Sequence, residues 1–368
     1  NPEMIDLLRR LVMAESPSDV PDSQVNCLSI LLEELQSLDY QVELIRGRET
    51  GGHLLGRPKK TAADGPRQLL LGHCDTVWPI GTLKRMPFDV EGNIARGPGV
   101  YDMKGGLVQM LFALRALKAL DLEPRLSPYV FINTDEEIGS HESGIHIRAL
   151  AQEANRVFVL EPSLGPAGKL KTARKGVGRF HVEVNGVAAH AGLDPEKGRS
   201  AILEMSHVIQ QMFALNNPDT GVSVNVGMVE GGLRPNVIAP MSTAEIDVRV
   251  PTQDTARLVE KAIIGIKPVT EDVVVTITGQ VNRAPLERTP ANQALWRLAQ
   301  GAATEMDIQI DQGMAGGGSD GNTTSQFTAT LDGLGAVGDG AHATHEFIYL
   351  DKMLERSTLL GLLLLTDQ

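Results

Sequence analysis

Apolar residues along the first half of the chain recur in two alternating rhythms. NPEMIDLLRRLVMAES (1–16) and VNCLSILLEELQSL (25–38) carry them at helical spacing, and GGLVQMLFALRALKAL (105–120) predicts a strongly apolar helix. YQVELIR (40–46) alternates with the period of two that marks a strand. RQLLLGH (67–73), YVFINT (129–134) and RVFVLE (156–161) are short apolar runs of the kind found in buried strands. ESGIHIRALAQEA (142–154) places a helix between the last two. Strands alternating with helices in this way predict a mostly parallel sheet covered on both faces. Sites in such sheets lie beyond the C-terminal ends of the strands.

The rhythm changes in the middle of the chain. GRFHVEVNG (178–186) reads as a strand, SAILEMSHVIQQMFAL (200–215) as a helix, and GVSVNVGMVEG (221–231) and STAEIDVRV (242–250) as two strands. A helix over 252–266 and a strand over 272–279 complete the order β-α-β-β-α-β, that of a ferredoxin-like sandwich. Helical patterns return at NQALWRLAQGAATEM (292–306) and DKMLERSTLLGLLLLT (351–366). The expected organisation is an α/β domain over 1–175 and 285–368, interrupted by an inserted α+β domain over 176–284.

A length of 368 residues exceeds what one ordinary core organises, in keeping with two domains. Only 4% of residues are aromatic, and the net charge is −12. Neither nucleic acid nor an anionic membrane is therefore expected as a partner. Two cysteines, Cys27 and Cys74, cannot build a disulfide framework or a thiolate zinc site. No run approaches the ~18 consecutive apolar residues of a spanning helix. The N-terminal stretch lacks the compact apolar region of a signal peptide. A cytoplasmic location is expected, with a removed secretory leader as the alternative.

Candidate chemistry begins at LLLGHCDTVW (69–78), where a buried strand finishes on ionisable groups. In extended chain His73 and Asp75 share one face and Cys74 points to the other. Four further stretches bring acids or histidines to the ends of first-domain elements. Asp102 lies in GPGVYDMKGG, Glu136 and Glu137 in NTDEEIGS, Glu161 in VLEPS, and His342 and His345 in GDGAHATHE. Each alone has an ordinary explanation, such as a helix cap, a solvated charge or a lysine partner. So many acids gathered where strands of one sheet converge need cations to offset their repulsion. Imidazole and carboxylate ligands without thiolate suit catalytic zinc. The number of ligands suits two ions: one shared, two more on each, and a carboxylate left for proton transfer. Two such ions activate water and polarise a carbonyl, which points to amide hydrolysis.

GHCDTV, GPGVYDMKGG, TDEEIGS, LEPS, GVAAHAG, LRPNVIAP, IDVRV and GAHATHE occur in one order along nearly the whole chain. In this the sequence resembles the two-zinc metallopeptidase family of glutamate carboxypeptidase, acetylornithine deacetylase, succinyl-diaminopimelate desuccinylase and aminoacylase. GHCDTVWPIGTLKRMPF and the glutamate at 161 are similar to the glutamate carboxypeptidase branch. The resemblance implies a zinc-exopeptidase catalytic domain with two zinc ions per subunit, cobalt or manganese serving as substitutes. By the same resemblance Asp102 bridges the ions, His73 and Glu161 complete one site, and Glu137 and His342 complete the other. His342 is chosen over His345 because the family's last histidine commonly precedes a glutamate by four residues, as His342 does Glu346. Glu136 would be the general base, and Asp75 would orient His73.

The resemblance also implies a cis peptide bond after Asp102 and a homodimer formed through the inserted domain. In that domain His190 would stabilise the oxyanion, often from a second subunit. Asn236 and Arg249 would hold the substrate's free carboxylate, with backbone amides of the GMAGGGSDGN stretch, Gly317 and Gly318 among them, turned towards the same group. The expected reaction releases a C-terminal amino acid, glutamate first among candidates, from a small peptide or N-acyl conjugate. An N-acyl-amino-acid deacylase is the first alternative. A non-catalytic binding protein is the second, and the presence of all five ligands and the base argues against it.

Overall fold

Strand Arg67–His73 lies inside a six-stranded sheet. The order across the sheet is Tyr40–Ile45, His53–Pro58, Ser127–Asn133, Arg67–His73, Arg156–Val159 and Ala329–Leu331. The last four strands are parallel, and the first two form an antiparallel hairpin at one edge. These strands come from a computed structural model that describes residues 2–60 and 65–367.

Alternation along the strands sorts their side chains into two cores. Leu70, Val130, Ile132 and Phe158 pack with helices Pro2–Met13, Pro21–Ser37, Gly105–Ala119 and Leu350–Leu365. Leu69, Leu71, Tyr129, Phe131, Val157 and Val159 pack with Ile147 of helix Gly144–Glu153 on the other face. His73 ends its strand in the second register, and Glu161 continues that register two residues past Val159. Cys74 continues the first and is buried in that core.

The chain divides into two compact units. One comprises Asn1–Thr172, Arg288–Ala315 and Ser319–Gln368. The other comprises Ala173–Glu287 together with Gly316–Gly318. Arg174 explains that last grouping, because its Nη1 donates to the carbonyls of Gly317 and Gly318 at 3.2 and 3.0 Å. The second unit is an antiparallel sheet ordered Ser223–Gly231, Met241–Val250, Gly176–Asn185 and Val274–Arg283. Phe180, Val182, Val184, Ile246 and Val248 pack against helices Ala201–Phe213 and Gln253–Ile264 in its own core. Side-chain oxygens cap both helices, Ser200 at the first and Thr252 at the second. No helix among the described residues is long and apolar enough to cross a membrane.

Candidate metal centre

The C-terminal ends of the parallel strands bring five sequence segments together. His73 ends its own strand and is 1% exposed. Glu136 and Glu137 follow strand Ser127–Asn133, and Glu161 follows strand Arg156–Val159. Asp102 sits in a loop entered through Gly97 and Gly99, both at positive φ, and its peptide bond to Met103 is cis. His342 is also left-handed, at φ 61°, just after Gly340 at φ 86°.

The two oxygens of Asp102 face different histidines. Oδ1 lies 3.3 Å from His73 Nε2, and Oδ2 lies 3.5 Å from His342 Nε2. His73 Nε2 is 3.4 Å from Glu161 Oε1, and His342 Nε2 is 3.0 Å from Glu137 Oε2. Bonds of about 2.0–2.1 Å to a tetrahedral zinc put its ligand atoms about 3.3–3.4 Å apart. His73 Nε2 and Asp102 Oδ1 are buried with no hydrogen-bond partner. Atoms so placed are costly unless something binds them, and a cation between them would do so. The donor set therefore fits a pair of divalent ions. The Glu136 carboxylate also approaches: it, His73 and Glu161 offer ligand atoms within 4.8 Å of one another.

The electrostatics follow from this crowding. Burial opposes protonation of His73, but Asp102, Asp75 and Glu161 outweigh it and raise the imidazole well above its ordinary value. His342 is pushed up to about 10 by Asp102 and Glu137. Burial raises Glu137, with the Asp102 charge adding to it and His342 opposing. Asp102 goes the other way: both histidines overcome its burial and lower it.

Asp75 holds three parts of the centre. His73 Nδ1 lies 3.1 Å from its carbonyl oxygen and 3.3 Å from its Oδ1. Its carboxylate also accepts the backbone N–H of Glu136 and of Glu137 and the Ser18 hydroxyl. Lys171 Nζ stands 3.9 Å from Glu161 Oε2, both side chains being nearly buried. Glu346 accepts four bonds, from Trp78 Nε1 and the N–H groups of Gly99, Tyr101 and Asp102. Burial pushes its carboxyl up to about 7, while those donors pull it down. The sequence motifs give no role to Ser18, Lys171 or Trp78. In the sequence Glu346 is visible only as the glutamate four residues after His342, and that spacing is the one signal of its role.

The remaining candidates belong to the second unit. His190 and Asn236 lie on loops joined by backbone pairing: Ala191 N–H donates to Asn236 O at 3.1 Å, and Ile238 N–H to Ala189 O at 2.9 Å. His190 Nδ1 accepts the N–H groups of Gly192 and Leu193, both at 3.1 Å. The proton of the neutral ring therefore sits on Nε2, which is a donor. Arg249 is already engaged through two bonds to Asp247, Nε to Oδ1 at 2.7 Å and Nη2 to Oδ2 at 3.0 Å. The carbonyls of Gly317 and Gly318 are engaged by Arg174.

Histidines and carboxylates gathered at the C-terminal edge of a parallel sheet, in a chain interrupted by an antiparallel sandwich, define a metallopeptidase architecture. The chain belongs to peptidase family M20/M25/M40, whose model matches residues 69–366. It is 32% identical over 250 residues to carboxypeptidase G2 of Pseudomonas sp. (strain RS-16). That match covers 67% of this chain but only 60% of the relative's length. Succinyl-diaminopimelate desuccinylase of Variovorax paradoxus is 25% identical over 372 residues, covering 92% of this chain and 93% of that protein. Among solved structures, aminopeptidase PepT from Bacillus cereus superposes with a TM-score of 0.82 at 19% identity, covering 99% of this chain and 98% of that one. This last likeness concerns the fold.

Proposed function

We propose that this protein is a two-metal amide hydrolase that releases a C-terminal amino acid, with glutamate as the first candidate, from a small peptide or N-acyl conjugate. The observation that carries the reading is the Asp102 carboxylate, whose two oxygens face His73 and His342 at ligand spacing. Asp102 would be shared, His73 and Glu161 would complete one ion's set, and Glu137 and His342 the other's. Two zinc ions, or cobalt or manganese in their place, would supply Lewis acidity to the amide carbonyl and to the attacking water.

The protein's own groups do the rest. Glu136 takes a proton from the water as its oxygen bonds to the carbonyl carbon. It returns that proton to the amine nitrogen as the carbon–nitrogen bond breaks. Asp75 fixes the ring of His73 and, through two backbone N–H groups, the segment that carries base and ligand. His190 offers Nε2–H to the oxyanion, the charge that develops in the transition state. Asn236 and Arg249 bind the substrate's free carboxylate, and Asp247 orients the Arg249 fork for it. The glycine loop at Gly317 and Gly318 borders the same group.

Dimerisation is proposed through the inserted unit. Its outer strand Ser223–Gly231 leaves Met228 and Val229 exposed, and Ile202 and Leu203 are exposed on the adjoining helix. Such an edge is commonly covered by a second copy. A panel of acyl-glutamates, dipeptides and N-acyl amino acids, assayed with zinc and after chelation, tests the whole reading. Glutamate release that chelation abolishes is expected. Hydrolysis governed by the acyl group would favour the deacylase alternative instead, and metal-independent turnover would overturn both.

A further inference from the structure

We infer that Glu346 is a positioning residue of the metal centre: its carboxylate ties the Asp102 loop to the His342 loop and so sets the spacing of their ligand atoms. This rests on the two-metal reading above. A small four-stranded sheet brings the two loops into register. Its order is Gly338–Asp339, Phe347–Tyr349, Ile94–Arg96 and Asp89–Glu91. Strand Ile94–Arg96 leads into the Asp102 loop, its neighbour Phe347–Tyr349 follows His342 in sequence, and Gly338–Asp339, on the far side of Phe347–Tyr349, precedes His342. The sheet stops short of the ligands, and both loops continue beyond it without strand pairing.

Glu346 spans that gap. On its own side the backbone is tightly wound, with Ala343 N–H donating to Gly340 O at 2.8 Å and Glu346 N–H to Ala343 O at 3.0 Å. A Cβ added at Gly340 would fall 2.9 Å from Glu346 Cα, so the turn that carries His342 is packed directly on Glu346. On the far side Oε1 accepts Tyr101 N–H at 2.8 Å and Asp102 N–H at 3.0 Å. Oε2 accepts Gly99 N–H and Trp78 Nε1–H, both at 2.9 Å. The residue is 1% exposed, and all four partners are donors. Only an ionised carboxylate can satisfy four N–H groups at once, and removing it would strand buried donors beside a ligand. Anchors of this kind behind metal ligands commonly change metal affinity 10–100-fold when lost.

Glu346→Gln tests the inference, since it keeps the shape but turns an amide NH2 towards two N–H donors. Cobalt(II) is titrated into the metal-free full-length wild type and variant, with chelator competition for each affinity and the visible spectrum for coordination. Two cobalt ions per wild-type chain are expected. In E346Q at least one should bind about 10–100-fold more weakly, with an altered spectrum at full occupancy. Wild-type affinities and spectrum in E346Q overturn the inference alone, even if the variant melts earlier. A wild type that binds no cobalt overturns the two-metal reading as well. Should E346Q fail to fold, Glu346→Asp, which keeps the charge and shortens the reach, carries the same test with the same outcomes.

Discussion

Gly106 offers a direct test of how packing sets the metal centre. It lies in the first turn of helix Gly105–Ala119, against the strand end that carries Glu161. A Cβ added there would stand 3.2 Å from the Leu160 carbonyl carbon and 3.3 Å from Gly335 Cα, with Leu160 O far inside any permitted contact. All of these neighbours are backbone, so no flexible side chain can yield. Clearing the oxygen takes a shift of about 1 Å, and overpacking of this kind costs about 1–3 kcal/mol. Alanine returns roughly 0.8–1 kcal/mol of helix propensity over glycine. Gly106→Ala should therefore lose up to about 2 kcal/mol of stability. Because Leu160 adjoins Glu161, the shift reaches this proposed ligand, and a misplacement of about 1 Å can lower kcat about 100-fold. Gly301→Ala is the control: this glycine is also helical, nothing lies within 4 Å of its added Cβ, and the change should be neutral or stabilising by up to about 1 kcal/mol. Denaturant unfolding and initial rates, with metal content measured on the same samples, read both variants. G106A behaving like G301A in stability and rate would refute the argument.

Glu136→Gln should lower kcat by about 100- to 10,000-fold while elemental analysis still finds both metals, because the proposed base is not a ligand. Full activity in that variant would remove the assignment. His190→Ala should lower kcat by about 100- to 1,000-fold and change KM less, since its Nε2–H serves only the developing charge. Mixed dimers of inactive E136A and inactive H190A subunits should regain activity if His190 acts across the interface. Metal uptake should depend on pH: His342 is held up at about 10 and His73 is raised, yet both must be neutral to ligate. Binding at pH 7 should therefore release about two protons per chain, and affinity should rise with pH until about 10. Calorimetry in buffers of different ionisation enthalpy reads the release, and a value near zero is the contrary result. In the metal-free protein the same His342 shift favours the fold below about pH 6.5 and is lost as the pH rises through about 10.

Much of this architecture was readable from periodicity. Three of the four parallel strands are apolar runs because both their faces are covered, whereas Ala329–Leu331 is too short and mixed to be read, and the inserted unit announces itself through period-two strands. Hairpin strand His53–Pro58 is not legible in the sequence, since Gly56, Arg57 and Pro58 interrupt its pattern and its inner pairing is with distant Val130–Ile132. The candidate metal-centre residues are legible as acids and histidines, His73, Glu136, Glu137 and Glu161 at or just past the ends of apolar runs and Asp102 and His342 in glycine-rich stretches. Their supports are not. Ser18, Glu346 and Trp78 act through hydrogen bonds to partners far away in sequence, and no local spacing encodes such bonds. Engagement of Arg249 by Asp247 lies two residues away on the same strand face, so alternation alone could have suggested it. That Arg174 engages the carbonyls of Gly317 and Gly318 depends on where its side chain reaches, which spacing does not encode.

The way the inserted unit begins and ends has a consequence for engineering and ancestry. Arg174 and Leu286 exchange both backbone hydrogen bonds, N–H to O in each direction, so the chain enters and leaves the continuous segment of the unit, Ala173–Glu287, through adjacent residues. Paired residues of this kind have Cα atoms only about 5.5 Å apart, a gap that a very short linker closes. The unit has a separate core, and His73, Asp102, Glu137, Glu161 and His342 all lie outside it. It is therefore a cassette in the architectural sense, open to excision or to replacement by another domain whose termini meet. A lineage could acquire or exchange it in one recombination event without rebuilding the segments that carry the proposed ligands.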